Sequence, residues 1–131
     1  MKYVYPAVFS HDEEGYYVHF PDIENCFTDG DTLEEAIENA NDVLPLMLST
    51  FEDDNDPIPA PTPIDEVAVE KGEFASLVYA DTIEYRKKFN NKSVKKTLSI
   101  PAWLNTIAEQ NNVNFSNVLQ NALMDQLHIS R

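Results

Sequence analysis

The chain has 131 residues, 43% of them hydrophobic and 11% aromatic, and a formal net charge of −14. That length suits one domain or two small ones, and the apolar content supplies a core, which excludes global disorder. No apolar run approaches the roughly 18 to 20 residues that span a bilayer, MKYVYPAVFS is no signal peptide, and the lone Cys26 makes no internal disulfide, so a reducing, cytoplasmic location without a membrane partner is expected.

KYVYPAVFS and GYYVHF are rich in aromatic and branched residues and are separated by HDEEG. This predicts a hairpin: a strand near Lys2 to Ser10, a polar turn closing on Gly15, and a strand near Tyr16 to Phe20. Pro6 favours an edge position or a bulge. A third strand is expected around Cys26 to Thr28, ended by Asp29-Gly30-Asp31. In DTLEEAIENANDVL, Thr32 and Glu35 form a capping box, and Asp31, Glu34 and Glu35 suit the positive end of a helix dipole. Leu33, Ala36, Ile37, Ala40, Val43, Leu44 and Met47 recur at helical spacing, so one face packs on the sheet. Pro45 lacks the N–H that would bond residue 41, which predicts a kink or restart.

Residues 52–63 combine clustered acids with prolines at 57, 59, 61 and 63, the composition of a stiff, extended surface connection. EFASLVYAD supplies a further strand, and TIEYRKKFNNK a short, partly helical bridge whose residues 85–92 are read as a linker. Residues 1–84 therefore read β-β-β-α-β, an α+β domain with a helix on one sheet face. They carry 21 acidic residues against Lys2 and Lys71, a balance of −19, whereas residues 85–131 carry seven basic residues against Glu109 and Asp125, a balance of +5. An acidic half attracts basic partners and a basic tail attracts phosphate, so the two parts are expected to have different partners.

The acids do not build an evident catalytic centre. Metal-dependent nuclease chemistry needs several converging carboxylates, and only Asp22, Asp29 and Asp31 fall near strand ends. DGDTLEEA enters a helix instead of completing a calcium loop, and His11, His19 and Cys26 match no zinc spacing. No catalytic residue, metal or cofactor is expected, and Cys26 in acidic surroundings is a poor nucleophile.

The terminal segment, residues 93–131, has its own logic. In SVKKTLSIP, Val94, Leu98 and Ile100 share one face of a strand, while Lys95, Thr97 and Ser99 share the other. Lys96 interrupts the apolar row and snorkels at its end. Pro101 opens a helix carrying Leu104, Ile107 and Ala108 that stops at Asn111 and Asn112. A second helix starts at its N-cap Asn114 and runs on through Val118, Leu119, Ala122, Leu123 and Leu127. A lone strand and two short helices leave backbone groups unpaired and too little surface to bury an apolar face. A second copy solves both problems if the strands pair antiparallel about a twofold axis. Lys95, Thr97 and Ser99 of both chains would then project from a ribbon that fits the DNA major groove, and the helix start at Ser116 and Asn117 would grip a phosphate.

KTLSIPAWL, the Asn-rich turn and NFSNVLQNAL resemble the ribbon-helix-helix fold of bacterial repressors. EEGYYVHFPDIENCFTDGDTLEEAIENANDVL resembles the HicB antitoxin family, and the order of the two parts is similar to the subgroup with a ribbon-helix-helix tail. One departure is IENC, where family members commonly carry Pro-Gly before the cysteine. The resemblance implies a partial ribonuclease-H-like front domain that neutralises HicA, a small basic mRNA-cleaving toxin, and a tail that represses the shared operon at its operator DNA. The tail is expected to be a homodimer through its ribbon, and whether dimers assemble into a higher oligomer is left open by the sequence. Under that reading Lys92 and Lys96 contact phosphates, and Lys95, Thr97, Ser99, Ser116 and Asn117 complete the DNA surface. Asp12, Glu13, Glu14, Tyr17, His19, Asp22 and Glu24 are the expected toxin surface. The other reading is a stand-alone repressor whose front domain senses a ligand or oligomerises, without a toxin.

Overall fold

In a computed structural model that describes residues 1–130, the chain forms two units, Met1–Lys92 and the residues from Ser93 on. The first unit is built on the period-two pattern of its longest strand. Strand β1 (Lys2–His11) pairs antiparallel with β2 (Tyr16–His19) on one side and with β4 (Phe74–Asp81) on the other; β2 carries β3 (Phe27–Gly30), giving the order β3-β2-β1-β4. Tyr5, Ala7 and Phe9 lie on one face of β1 with Val18 of β2 and Val78 and Ala80 of β4. Helix α1 (Leu33–Asp54) closes that face with Ala36, Ala40, Leu44 and Leu48, spaced four apart as one helical stripe requires.

Pro6 lies opposite Leu77 in a strand that is central in the sheet, without a bulge. The β2 ladder stops at Val8, so at Pro6 only the β4 side is paired and the position is locally the expected edge. Two other expectations about this unit are corrected. Strand β3 runs through Asp29 and Gly30 instead of ending before them, since Gly30 pairs with Tyr16. A Cβ on Gly30 would stand 2.4 Å from the Ala36 backbone nitrogen, so only glycine lets the strand approach the helix so closely. Of the kink or restart expected at Pro45, the restart does not occur: α1 is one element of 22 residues. The missing hydrogen bond is outweighed by burial of Pro45 itself together with Leu44 and Leu48.

Thr32 Oγ1 accepts from the Glu35 N–H (3.2 Å) at the start of α1, and Asn55 closes its end in the left-handed conformation. The Pro-rich connection is tied down at two points. The Tyr5 hydroxyl donates to the Pro59 carbonyl, and Asp22 accepts from the Thr62 N–H (2.9 Å) and hydroxyl (2.5 Å). A short 3₁₀ turn (Ile64–Glu66) then packs near β4.

The expected linker at 85–92 is largely helix. Helix α2 (Thr82–Phe89) is capped by Asp81, which accepts from the Ile83 and Glu84 N–H groups. Arg86 binds it to α1 through Asp53 (2.8 Å), Glu52 (3.1 Å) and the Ser49 carbonyl (3.1 Å). Glu52 also accepts from the Tyr3 (2.7 Å) and Thr82 (3.0 Å) hydroxyls, so one carboxylate joins β1, α1 and α2. The helix agrees with the partly helical bridge expected here, whereas the clamp is not legible in propensity because Glu52 lies 34 residues from Arg86 in sequence.

In the second unit, α3 (Ala102–Gln110) ends at Asn111 with Asn112 left-handed (φ 54°), and α4 (Phe115–Leu127) is capped by the Asn114 side chain, which accepts from the Asn117 N–H at 3.1 Å. The strand expected over Ser93–Ile100 is absent: residues 91–101 have no regular secondary structure. Strand is a property of a ladder, and no strand of the same chain pairs with this segment.

Candidate partner and nucleic-acid interfaces

The seven residues expected to meet a partner protein do not form one cluster. Asp12 organises the β1–β2 turn: its Oδ1 accepts from the N–H groups of Glu14 (2.8 Å) and Gly15 (3.2 Å) and from the Tyr17 hydroxyl (3.1 Å). The Glu14 N–H, with help from Tyr17 and Gly15, holds the Asp12 carboxyl below the usual carboxylate range, while the same carboxylate raises the Tyr17 hydroxyl. Glu13 and Glu14 project from this turn into solvent. Tyr17 and His19 point away from α1, in line with Asp29 and Phe27 of β3 respectively. Glu24 is exposed at the far end of β2, before the left-handed Asn25 (φ 61°). Asp22 is spent within the unit on Thr62. The turn acids and Tyr17 are therefore brought together, His19 shares their sheet face, and Glu24 and Asp22 lie elsewhere.

The residues that the sequence reading missed are apolar. On the sheet face opposite α1, Val4 pairs with Tyr79 and Leu77 follows two positions along, all about half exposed, and Phe27 is two-thirds exposed. The signal was present in YVYPAVF and SLVY, where both alternating sets are apolar; of the set facing away from α1, Pro6 and Val8 are buried, which leaves Val4, Leu77 and Tyr79 as its exposed part. Cys26 is buried, and burial pushes its thiol up to about 11, so it is not a nucleophile at neutral pH. Among the described residues, no three His, Cys, Asp or Glu side chains are grouped to hold a metal ion.

Lys92, the last residue of the first unit, and Lys95, Lys96, Thr97 and Ser99 of the second are all exposed and without regular secondary structure. Val94 is 87% exposed, Leu98 56% and Ile100 47%, and no residue of α3 or α4 is buried. Leu98, Ile100, Phe115, Val118, Leu119 and Ala122 line an apolar groove of about 580 Å³ with Lys96 and Ser116 also on its wall. Ser116 and Asn117 are in the first turn of α4, as expected, but the Asn117 N–H is taken by the Asn114 cap and is not free for an anion.

A protein-family model described as the HicB-like antitoxin of bacterial toxin–antitoxin systems matches residues 5–123, which spans both units. Antitoxin HicB 2 of Photorhabdus laumondii is 44% identical over 66 residues, 50% of this chain and 48% of that protein. The match thus spans about half the length of this curated relative. Among solved structures, a toxin–antitoxin complex from Streptococcus pneumoniae is similar with a TM-score of 0.63 at 28% identity, covering 96% of this chain and 99% of that one. The antitoxin HicB of Burkholderia pseudomallei shares the fold at 21% identity and a TM-score of 0.52, covering 97% of this chain and 98% of the other.

Proposed function

The chain belongs to the HicB-like antitoxins of bacterial toxin–antitoxin systems, and on that premise we propose that it neutralises a small basic HicA-type toxin and represses its own operon as a DNA-bound dimer. The acidic first unit, a partial ribonuclease-H-like scaffold, holds the toxin. Met1–Lys92 carries 21 acids against six bases, a balance of −15, which steers a cationic RNA-binding protein toward it. The similarity to the Streptococcus pneumoniae toxin–antitoxin complex supports this assignment.

One observation carries the DNA half: Val94, Leu98 and Ile100 stand exposed on an unpaired extended segment beside an apolar groove, alternating with Lys95, Thr97 and Ser99. The unit has 39 residues, no cysteine and no buried side chain in its helices. A unit of that size is rarely stable without a staple, and a second copy is the staple available here. Two segments paired antiparallel form a ribbon-helix-helix whose apolar row faces the helices and whose Lys95, Thr97 and Ser99 enter the major groove. Lys92 and Lys96 contact the flanking phosphates, and Ser116 holds the backbone at the start of α4. Thr97 and Ser99 hydroxyls and the Lys95 ammonium can all meet base edges, so sequence choice resides in these three side chains.

The test is co-expression with the small basic reading frame beside this one. A stable complex whose mass contains two copies of this chain, with toxin RNA cleavage suppressed and the upstream duplex bound, is the expected result. A chain that stays monomeric at micromolar concentration and binds that duplex no better than random DNA would contradict the repressor half.

A further inference from the structure

The two edges of the sheet are guarded differently. Edge strand β3 has four residues, and it carries Asp29 and ends at Gly30. Short length and an inserted charge are the usual means of preventing another strand from adding to an edge. Edge strand β4 has none of them. Its eight residues, FASLVYAD, contain no Lys, Arg or Pro, and the only charge is Asp81 at the last position. Its ladder with β1 is continuous from Phe9↔Phe74 to Lys2↔Asp81 without a bulge. On the side away from β1, about every second residue of such a strand directs its N–H and C=O outward, so roughly four residues offer unpaired backbone groups. Beside this edge, on the face opposite α1, Leu77 and Tyr79 are 55% and 56% exposed, and Val4 lies across from Tyr79.

We propose that the β4 edge is where the toxin docks, by adding one of its own strands to the sheet, with Leu77, Tyr79 and Val4 as the apolar anchors. This rests on the antitoxin reading above and assigns its surface. Backbone pairing supplies affinity in strand addition, and side chains flanking the edge supply specificity. Charge selects the occupant. A second copy would bring two units of −15 edge to edge, whereas a basic protein gains from the same field. The acids of the β1–β2 turn then act in steering, which is felt in the association rate, and the uncharged edge governs dissociation.

The experiment compares the full-length chain with its L77K/Y79K and E13K/E14K variants, each co-expressed with the neighbouring small basic protein. Hydrogen exchange of the wild-type amides over Phe74–Asp81 is followed with and without that protein. Both sites are exposed, so melting temperature and dimer size should match wild type in each variant. Slowed exchange along β4 in the complex and a loss of affinity of at least about thirtyfold in L77K/Y79K, the size expected for interface anchors, support the assignment. E13K/E14K should slow association about tenfold at low salt and leave dissociation unchanged. If the wild type binds the basic protein while β4 exchanges as before and L77K/Y79K binds within twofold, this assignment falls and the antitoxin reading stands. Protection of β4 in the chain alone that deepens with its concentration puts a second copy on the edge and also overturns the assignment. If the wild type fails to bind the basic protein at all, the antitoxin reading falls and takes this one with it.

Discussion

The most quantitative consequence of the proposed DNA surface is its salt dependence. Lys92 and Lys96 lie on the exposed segment, and a twofold dimer doubles them to four phosphate contacts. Each contact releases counterion, and the slope of log K against log salt is about −0.9 per contact, so these four give about −3.6. Between 50 and 200 mM salt that slope corresponds to a loss of roughly 150-fold in affinity. Replacing Lys92 by Gln removes one contact from each chain, which lowers the slope to about −1.8 and the loss over the same range to roughly twelvefold. Fluorescence anisotropy with the upstream duplex and a scrambled duplex, titrated at several salt concentrations, measures both slopes. K92Q should weaken both duplexes alike, because a phosphate contact carries no sequence information. Thr97→Ala should behave oppositely, keeping the slope and narrowing the gap between the two duplexes. An unchanged slope in K92Q refutes the phosphate assignment, whatever happens to the affinity itself.

Three further outcomes follow from the structure. If the proposed dimer forms, Leu98→Asp places a charge in the apolar row beside the groove and should convert it to monomer in analytical ultracentrifugation, leaving the thermal unfolding of the first unit unchanged. Gly30→Val drives a side chain against the Ala36 backbone, so urea unfolding of the first unit should lose at least about 1–3 kcal/mol, the usual range for overpacking. The Glu52 network makes stability pH-dependent at both extremes. Burial pushes the Glu52 carboxyl up, but hydrogen bonds from Tyr3, Arg86 and Thr82 outweigh it and hold the group below the usual range. A depressed acid contributes stability above the ordinary carboxylate range and loses it as pH falls through the folded value, so E52Q should flatten the acid limb of unfolding. Tyr3 is pushed from 10.0 to about 12, by burial first and then by Glu52. Its contribution is whole below about 10 and is lost as pH climbs toward 12, and Y3F should flatten that alkaline limb.

How far the fold was legible depended on the range of the forces involved. The capping by Thr32 and Asn114 and the left-handed Asn112 were readable because each depends on groups within about four positions of one another, and the hairpin because its strands are joined by a short turn and pair residues no more than 11 apart. The clamp of Arg86 on Glu52 and Asp53, the tether of Thr62 to Asp22 and the uninterrupted helix through Pro45 were not, since each is settled by contacts 33 or more residues apart or by burial of a whole face. Asp22 is engaged by Thr62 within the first unit, and the Asn117 N–H is engaged by the Asn114 cap. Both residue types were read correctly as polar, but a sequence does not say which polar group is already satisfied.

The partner surface shows the same division from the other side. Charge patterning alone separated an acidic front from a basic tail, because charge is a property of the order of residues; the alternation that sets Lys95, Thr97 and Ser99 against the apolar row becomes a strand face only in the paired ribbon proposed above, since the segment has no regular secondary structure by itself. Only the sheet order decided that FASLVYAD is an edge and that Val4, Leu77 and Tyr79 meet, about half exposed, on the face opposite α1, where Pro6 and Val8 of the same alternating set are buried. Strand periodicity tells which residues share a side; which neighbour a strand takes, and therefore which side and which edge remain unpaired, is fixed when distant segments compete to bury the same apolar surface.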